Sequence, residues 1–587
     1  MSEGTLRVVV VGAGAAGTLV SARLLDSAVR AGRGVAVDLV DPAPETGRGL
    51  AYATSDPRHL LNVTAGRMSA LPHDGGDFVR WLSAREARPV DPGEYVPRAR
   101  YGSYLADALN RSEAAGGSIA TVRRRHDLVI AIERKPSAGT NNGVRLQLRG
   151  GGALDADAVV LALGNLAPSG EWIPAGLRES PHFVADPWRP GALSNVPTDR
   201  DVLLVGTGLT MCDIARTLAV PGRTVHAVSR RGLLPLPHAA VPPSRTTFQL
   251  GPVTGPLDLA QLKRRLRHHA ALYRRHYGDW RPAVDELRPH ISQVWQQLSF
   301  ADRERFLTGE LRNWEVHRHR LPPATDRALA DAQRAGLLTV QAAEVVKART
   351  SDDGCGVSVQ LSNGWSATVG ALINCTGTES RIQELADPLV RCLLDLGIAV
   401  PGPHGLGFDT ATDGKLTAAG ARTAAPVWTL GQLRRGNLWE TTAIPEIRVQ
   451  AAELAARILG RKTAPALADG RGQGSGPGSG SGSGPGPGPG PGPGPGPGPG
   501  PGPGRAWSCA APHVGPTRCC DGSRTPGAAA AHQHMHELRV RGELATASTR
   551  PEAPTRAPRL FSAATYPLLS LHTAGGFDGG VANGAED

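Results

Sequence analysis

Paired cysteines at the Cys-x-x-Cys spacing are missing from this sequence. The seven cysteines are scattered singly or adjacent along the chain: Cys212, Cys355, Cys375, Cys392, Cys509, Cys519 and Cys520. This absence excludes a zinc ribbon and a redox-active Cys-x-x-Cys dithiol. We expect the first four cysteines to be small buried side chains, and their pattern fits a reducing compartment, the cytoplasm.

Long apolar runs are also missing. No uninterrupted stretch reaches the roughly 18 residues that a membrane-spanning helix needs, so the sequence predicts none. Val8–Val11 looks like the start of a secretory signal, but acidic Glu3 precedes it and glycines follow at once. A signal peptide has the opposite charge at that end, and we therefore expect the segment to be part of the fold.

The charge is unbalanced towards basic residues, with a formal net charge of +11. Much of the excess lies in one helical stretch, at Lys263–Arg267 and Arg274–Arg275. A solvated helix face or the steering of an anionic cofactor accounts for it, and a polyanion site is the alternative. Because no aromatic-rich RNA motif or zinc spacing accompanies the charge, we predict no nucleic-acid partner and no membrane partner.

Glycines form a phosphate-binding pattern near the N-terminus. Gly12, Gly14 and Gly17 follow the apolar strand Leu6–Val11 and open a helix. The first glycine permits a tight turn, the second lets the backbone approach a diphosphate, and the third lets helix and strand pack closely. The next strand ends at Asp41, whose carboxylate can accept from a ribose hydroxyl. The segment predicts a dinucleotide site.

A second pattern of this kind follows the strand Val202–Val205. It contains Gly206 and Gly208, but Met211 replaces the third glycine. The strand after it ends in Ser229-Arg230-Arg231, where an acid would favour NADH. Arginines can bind a 2′-phosphate, so we predict NADPH, with NADH less favoured. The alternative is that both arginines are ordinary surface charges.

Two further strands end in a glycine, Ala158–Gly164 and Ala371–Gly377. Each resembles the strand by which two-domain flavoproteins return to the flavin domain. One precedes the second glycine pattern and one follows it, which favours FAD at the first site.

The strand–helix–strand pattern therefore occurs twice, which predicts an α/β fold of two doubly wound Rossmann-like dinucleotide-binding domains. The predicted divisions are an FAD-binding part at 1–185, a NAD(P)-binding domain at 186–370 with a helical insertion at 257–335, and an FAD-domain return segment at 371–464. The Gly/Pro/Ser-rich stretch 465–504 reads as a disordered linker, because Pro-Gly alternation supports neither helix nor sheet. We expect 505–587 to be a disordered tail; a small partner-binding module is the alternative.

Six stretches carry a family resemblance: 47–72 (GRGLAYATSDPRHLLNVTAGRMSALP), 206–213 (GTGLTMCD), 229–238 (SRRGLLPLPH), 313–323 (NWEVHRHRLPP), 373–377 (INCTG) and 431–451 (GQLRRGNLWETTAIPEIRVQA). Residues 7 to about 460 resemble the bacterial FAD-NAD(P)-binding oxidoreductases and are similar to flavin-dependent N-hydroxylating monooxygenases. The resemblance implies FAD as prosthetic group and NADPH as electron donor. It also implies that Ala51–Met68, with Asn62 and Met68, covers one side of the flavin.

The same resemblance implies that Gly431, Thr442 and Ala443 close the other side of the flavin, with the following helix pointing its N-terminus at the ring. Related flavoproteins often carry Asp after that glycine for the ribityl chain, whereas this sequence has Gln432. The ribityl contact at this position is therefore open.

The segment Asn313–Arg320 has no role fixed by the cofactors. Arg318 or Arg320 could bind a substrate carboxylate, and a buried His/Arg network that ties the insertion to the core is the alternative. His317 and His319 lack a carboxylate at zinc spacing, so we predict no metal.

The predicted function is an oxidoreductase, most simply a monooxygenase in which a flavin C4a-hydroperoxide oxygenates a small nucleophilic substrate, an amine. Since the cofactor carries this chemistry, no catalytic residue is assigned. The alternatives are an FAD-dependent NAD(P)H reductase without oxygen insertion and a non-catalytic flavin-binding protein. The predicted partners are a small-molecule substrate and O2, with a protein partner for the tail as a further option.

Overall fold

A computed structural model describes residues 4–135, 143–165, 168, 170–239, 257–420 and 423–460. They belong to the first of two compact units, while the second unit, Leu467–Ala563, lies outside the described residues. The predicted linker at 465–504, the predicted tail at 505–587 and three of the cysteines, Cys509, Cys519 and Cys520, also lie outside them.

Sixteen strands are present in the described residues. They are β1 (Leu6–Val11), β2 (Val35–Val40), β3 (Ala120–Arg125), β4 (Val129–Arg134), β5 (Val144–Leu148), β6 (Ala153–Ala156), β7 (Ala158–Leu161), β8 (Phe183–Val184), β9 (Val202–Val205), β10 (Val225–Ser229), β11 (Leu338–Ala342), β12 (Val345–Thr350), β13 (Val357–Leu361), β14 (Ser366–Val369), β15 (Ala371–Asn374) and β16 (Val427–Thr429).

Fourteen α-helices occur in the same residues. They are α1 (Ala15–Ala31), α2 (Gly49–Tyr52), α3 (Asp77–Glu86), α4 (Arg98–Gly116), α5 (Leu209–Leu218), α6 (Leu259–Tyr277), α7 (Arg281–Leu287), α8 (Ile291–Gln297), α9 (Phe300–Arg305), α10 (Leu311–Arg318), α11 (Pro323–Arg334), α12 (Pro388–Asp395), α13 (Arg435–Leu438) and α14 (Ile444–Ile458). None of these helices combines the length and hydropathy needed to span a bilayer.

The first sheet is parallel, with strand order β16-β7-β1-β2-β3. Its central strand β1 is apolar and buried at Val8–Val11, because helices cover one face of the sheet and the antiparallel strands β4, β5 and β6 pack on the other. Helices α1, α4 and α14 contribute to the core on one face, where Leu24, Tyr101 and Leu454 are buried. The predicted strand–helix–strand unit at the N-terminus is confirmed.

The second sheet repeats this arrangement in the order β11-β10-β9-β15-β8, again parallel. Strand β9, α5 and β10 form its predicted strand–helix–strand unit. The predicted fold of two doubly wound domains is therefore confirmed. The described residues also contain two small antiparallel sheets, β4-β5-β6 and β12-β13-β14, one following each parallel unit.

Strand β15 corrects one expectation about the chain's path. Ala371–Asn374 pairs with β9 in the second sheet, and the chain joins the first sheet again only at β16. By sheet membership the predicted division at residue 370 falls one strand too early, and β8 before residue 185 also belongs to the second sheet. The two strands that lead to a glycine, β7 and β15, occupy equivalent positions in the two different parallel sheets. They do not both belong to the flavin domain's sheet.

Two elements in the region 42–125 complete the first domain. Strand β3 pairs with β2 over its whole length. Helix α4 extends from Arg98 to Gly116. Cys355 is exposed, contrary to expectation, whereas Cys212 and Cys375 are buried and Cys392 is partly buried.

The predicted helical insertion is confirmed as α6 to α11, with one π-helical turn at Phe306–Glu310. It has an apolar core of its own, in which Tyr273, Trp295 and Trp314 are buried. Trp439 from the segment before α14 completes this core and stacks on Trp295 with ring centroids 4.7 Å apart. The insertion is thereby fixed to the first domain.

Candidate functional site

The first glycine turn joins β1 to α1 in the form that the sequence predicts. Gly12 has φ of +102°, and a Cβ there would collide with the carbonyl oxygen of Ala162 at the end of β7. A Cβ at Gly17 would collide with the carbonyl of Gly12. Gly14 caps α1 without a side-chain hydrogen bond. The amides at the start of α1 are thus left for an anionic ligand, as a bound diphosphate requires.

Asp41 lies directly beside this turn. Its carboxylate oxygens accept from the backbone N–H of Ala13 at 2.7 Å and of Ala43 at 2.8 Å. Each oxygen keeps a lone pair for a ribose hydroxyl. Gly49 crosses above the turn, and a Cβ there would lie 2.9 Å from the Cα of Gly14. Sequence reasoning missed Gly49, whose backbone closes this side. The residues present fit an adenine dinucleotide such as FAD.

The second glycine turn has the same construction between β9 and α5. Gly206 has φ of +108°, and a Cβ there would collide with the carbonyl oxygen of Cys375 at the end of β15. Gly208 caps α5 without a side-chain hydrogen bond. Met211 stands where the first turn has its third glycine and is fully buried. Its side chain fills part of the apolar core around α5.

A hydrogen-bond network beside the second turn was missed from the sequence. Thr207 Oγ1 lies 2.8 Å from Ser229 Oγ, which ties the turn to the end of β10. Arg312 of the insertion donates to the carbonyl oxygens of Thr207 at 3.0 Å and Leu233 at 2.6 Å. The guanidinium therefore lies next to the predicted phosphate position. Arginine spacing along the sequence gives no signal for such a contact.

Arg230 and Arg231 follow β10 and are both exposed. Arg231 donates to the carbonyl oxygen of Gly309 at 3.0 Å. Within the described residues, Arg230 has no ion pair. This location beyond the second strand of the unit fits a 2′-phosphate contact, and it remains a prediction.

A cavity of about 600 Å³ lies where the two domains and the insertion meet. Its wall comes mainly from the segment around α2 and 61–68, the first residues of α5, the insertion, and the residues from Glu440 to the start of α14. Other parts of the chain contribute Tyr95, Arg98, Asn165, Trp188 and His238. Of the predicted site residues, six line this cavity: Asn62, Met68, Arg318, Arg320, Thr442 and Ala443. The predicted flavin contacts and substrate contacts thus meet in one place.

The other predicted positions lie around the cavity rather than in its wall. Gly164 has φ of +65° and directly precedes the lining residue Asn165. Gly377 follows β15, and a Cβ there would meet nothing within 4 Å. Gly431 has φ of +71°, and its N–H donates to Gln450 Oε1 at 3.1 Å. Gln432 Nε2 lies 3.5 Å from Ser380 Oγ.

Arginine–carboxylate pairs dominate the charged wall of the cavity. The four pairs are Arg281–Asp279 at 2.9 Å, Arg288–Glu446 at 2.8 Å, Arg318–Glu440 at 2.8 Å and Arg320–Asp285 at 2.5 Å. Burial raises the pKa of Glu440, although Arg318 opposes this shift. Arg318 and Arg320 thus line the cavity as expected of substrate contacts, and they also tie the insertion to its surroundings, which was the alternative.

Two histidines of the cavity wall are held neutral. Burial lowers the pKa of His319 to about 3, and Arg318 and Arg435 add to the effect. Burial likewise lowers the pKa of His238 to about 4, with Arg320 adding to it. His238 Nε2 lies 3.0 Å from the carbonyl oxygen of Asn62. Among the described residues, no group of His, Cys, Asp and Glu could hold a metal ion.

A buried polar cluster joins the two dinucleotide-binding domains below the cavity. Arg98 of α4 donates to the Asp213 carboxylate of α5 at 2.7 Å. His59 Nε2 lies 3.0 Å from the Asp213 carbonyl oxygen and 2.9 Å from Thr217 Oγ1. Thr217 in turn donates to Asp56 at 2.7 Å. This interdomain cluster holds α5 against the first domain and was missed from the sequence.

Two glycine turns on two parallel sheets, with one cavity between them, define a protein that binds two dinucleotides. A family model described as FAD-NAD(P)-binding matches residues 9–166. The resemblance to FAD-NAD(P)-binding proteins is thereby confirmed over the first glycine turn, β2 and β7, and FAD with a nicotinamide dinucleotide are the cofactors that it supports. No curated protein matches the chain.

Solved structures share the whole described fold at low identity. Reduced ornithine hydroxylase (PvdA) from Pseudomonas aeruginosa matches with TM-score 0.53 and 16% identity, over 78% of this chain and 99% of that chain. Kutzneria sp. 744 ornithine N-hydroxylase (KtzI), with reduced FAD, NADP+ and L-ornithine, gives 0.52 and 15%, over 78% and 100%. L-lysine 6-monooxygenase from Pseudomonas syringae gives 0.51 and 17%, over 78% and 99%. At these identities the likeness concerns the fold.

Proposed function

We propose that this protein is an FAD- and NADPH-dependent monooxygenase that oxygenates a small nucleophilic substrate, with an amine as the leading class. The observation that carries the proposal is the cavity that the first domain, the start of α5 and the insertion line together. Asn62 and Met68 of the first domain, Leu209 and Thr210 at the start of α5, and the first turn of α14 line it. A nicotinamide held at α5 and a flavin held at α1 can therefore meet there.

The chemistry of hydride acceptance and oxygen activation belongs to the flavin when it is bound. The protein's residues supply binding, orientation and exclusion of water. The first turn of α14 lines the cavity, so the positive end of the helix dipole lies there and would stabilise negative charge on a ligand. The insertion, joined through Arg318 to Glu440 and through Arg288 to Glu446, forms one wall of the cavity and would limit the access of water.

The fold supports the same proposal. The structures named above that share it are hydroxylases or monooxygenases by title, one of them with reduced FAD, NADP+ and L-ornithine bound. This sequence has no Cys-x-x-Cys pair, so a redox dithiol of that spacing is missing.

The test is an anaerobic reduction of the purified full-length protein, followed by readmission of oxygen in a stopped-flow instrument. We expect a yellow protein that NADPH bleaches faster than NADH does. After oxygen returns, a transient spectrum distinct from both reduced and oxidised flavin should appear. Direct reoxidation with stoichiometric H2O2 and no transient would instead favour the reductase. A colourless protein that cannot be reconstituted with FAD would refute the proposal.

A further inference from the structure

Every acid in the cavity wall is already engaged. Asp279, Asp285, Glu440 and Glu446 each bind an arginine that also lines the cavity. Asp279 Oδ2 is buried and has no hydrogen-bond partner, but the charge of Asp279 is already neutralised by Arg281. An ammonium group entering the cavity would therefore add a positive charge beside acids that are each paired, and displacing a guanidinium would leave a charge without its partner, which is strongly unfavourable.

One arginine of the cavity wall, Arg67, has no acidic partner among the described residues. Arg67 ends the 3-10 turn Ala65–Arg67 and projects into the cavity, opposite the arginines of the insertion. In the part of the chain that the structure describes, its guanidinium has neither an ion pair nor a side-chain hydrogen bond. The sixth lining arginine, Arg98, is neutralised by Asp213 behind the wall. One positive charge in the cavity wall, that of Arg67, is therefore not balanced by an acid.

The uncharged groups agree with this balance. His319 lines the cavity, and within the described residues its imidazole has no hydrogen-bond partner. Burial and the nearby arginines lower its pKa to about 3, so it faces the cavity as a neutral ring. Arg67 itself is exposed, and the nearby Arg288, Arg318 and Arg320 oppose its charge. The surroundings disfavour an additional cation, and the same wall that carries the free guanidinium also carries a neutral hydrogen-bonding group.

We propose that the cavity selects a substrate with one oxyanion group, held by Arg67, and with a nucleophilic group that is uncharged when bound. Such a substrate carries a carboxylate and a weakly basic amine, as an aromatic amine with a carboxylate does. It is not a diamino acid. The inference rests on the proposed function, because it assigns the substrate class of that same cavity. It sets this chain apart from the ornithine and lysine enzymes that share its fold.

The test compares four matched probes in the FAD-loaded full-length protein by equilibrium dialysis at about pH 7.5. 4-Aminobenzoate has a carboxylate and an uncharged amine, 4-aminobenzamide lacks the anion, 4-(aminomethyl)benzoate adds an ammonium, and L-ornithine represents the diamino acids. A charge-assisted hydrogen bond corresponds to about tenfold or more in affinity. We therefore expect 4-aminobenzoate to bind at least about tenfold more tightly than each of the others.

Variants of Arg67 assign the preference to that side chain. Arg67→Met should bring the affinities for 4-aminobenzoate and 4-aminobenzamide together, while Arg67→Lys should retain part of the difference. Arg264→Met, on the exposed face of α6, is the matched control and should behave as the unmodified protein. Circular dichroism and FAD content show whether each variant is folded. If Arg67→Met does not fold, the comparison is made with Arg67→Lys.

Three results would overturn the proposal. One is tighter binding of L-ornithine or 4-(aminomethyl)benzoate than of 4-aminobenzoate. Another is the absence of any preference for carboxylate over amide. The third is competition of 4-aminobenzoate with NADP+ together with a matching loss of NADP+ affinity in Arg67→Met, since Arg67 would then bind a cofactor phosphate. Failure of NADPH to reduce the flavin would refute the proposed function alone, because the probe ranking is measured without turnover.

Discussion

Removing the Asp213 carboxylate from the interdomain cluster should destabilise the protein far more than removing an exposed one. The side chains of Asp213 and Arg98 are 6% and 17% exposed, and they are joined by a 2.7 Å hydrogen bond. Asp213→Asn leaves the Arg98 guanidinium buried with no opposite charge. Loss of one partner of a buried pair costs about 3–5 kcal/mol. We expect this decrease in the free energy of unfolding, and a similar one for Arg98→Met.

The double variant separates the pair from its surroundings. Asp213→Asn combined with Arg98→Met leaves no charge behind, so its loss should be smaller than the sum of the two single losses by about 1–3 kcal/mol. The matched control is Arg145–Asp155, which has the same kind of bond at 2.8 Å but 45% and 26% exposed side chains. Exposed pairs contribute about 0–1 kcal/mol.

The assay is urea unfolding of the full chain with FAD present, followed in parallel by tryptophan and flavin fluorescence. Two probes are needed because separate domains can unfold in separate transitions. Additive losses within about 0.5 kcal/mol would show that the two residues do not interact, and would refute the reasoning.

Three further predictions concern other parts of the molecule. Replacing Arg230 and Arg231 by Ala should raise the KM for NADPH by about 10- to 100-fold and leave that for NADH nearly unchanged, as steady-state flavin reduction would show; equal effects on both cofactors would exclude a 2′-phosphate contact. Acid should destabilise the fold through His319 and His238, whose pKa values in the folded protein are about 3 and about 4. The stability that the two neutral rings contribute is present above the unfolded pKa of about 6.5 and is lost as the pH falls below it, by at most about 1.4 kcal/mol per pH unit for each ring. His319→Asn should therefore reduce the decrease in melting temperature at low pH. Cys355 should react with a thiol reagent in the native protein while Cys212 and Cys375 stay unmodified, because both are buried and burial raises their pKa; peptide mapping by mass spectrometry that finds Cys212 modified first would contradict this.

Local patterns were sufficient for the two dinucleotide units. The apolar run Val8–Val11 and the glycines after it describe a buried parallel strand and a helix start with no help from distant residues. Strand β3 could not be identified from such a pattern, because three of its six residues are arginines and its position at the sheet edge shows only in the pairing with β2. The sheet to which β15 belongs could not be predicted either, since a buried strand ending in glycine fits both sheets equally well.

Some residues of the candidate site could likewise be predicted from the sequence, and others could not. Asn62, Met68, Thr442 and Ala443 could be placed because the family resemblance carried them to the cavity. The importance of Arg67 could not be predicted, because it depends on which of the six lining arginines pairs with an acid. Apart from Asp279 beside Arg281, every acidic partner comes from a distant part of the sequence. Arg318 and Arg320 looked free in sequence for that reason and are paired in the structure.

Met211 in the second glycine turn limits how far the two nucleotide sites can be exchanged. Four strands of each parallel sheet have matching positions, and Gly12 and Gly206 lie under equivalent carbonyl groups. The third position differs, because the side chain of Met211 is part of the apolar core around α5. Replacing it by glycine would open a void costing about 2–5 kcal/mol. Giving the second turn the full three-glycine pattern would thus need compensating changes around α5, so one mutation alone cannot make the two turns alike.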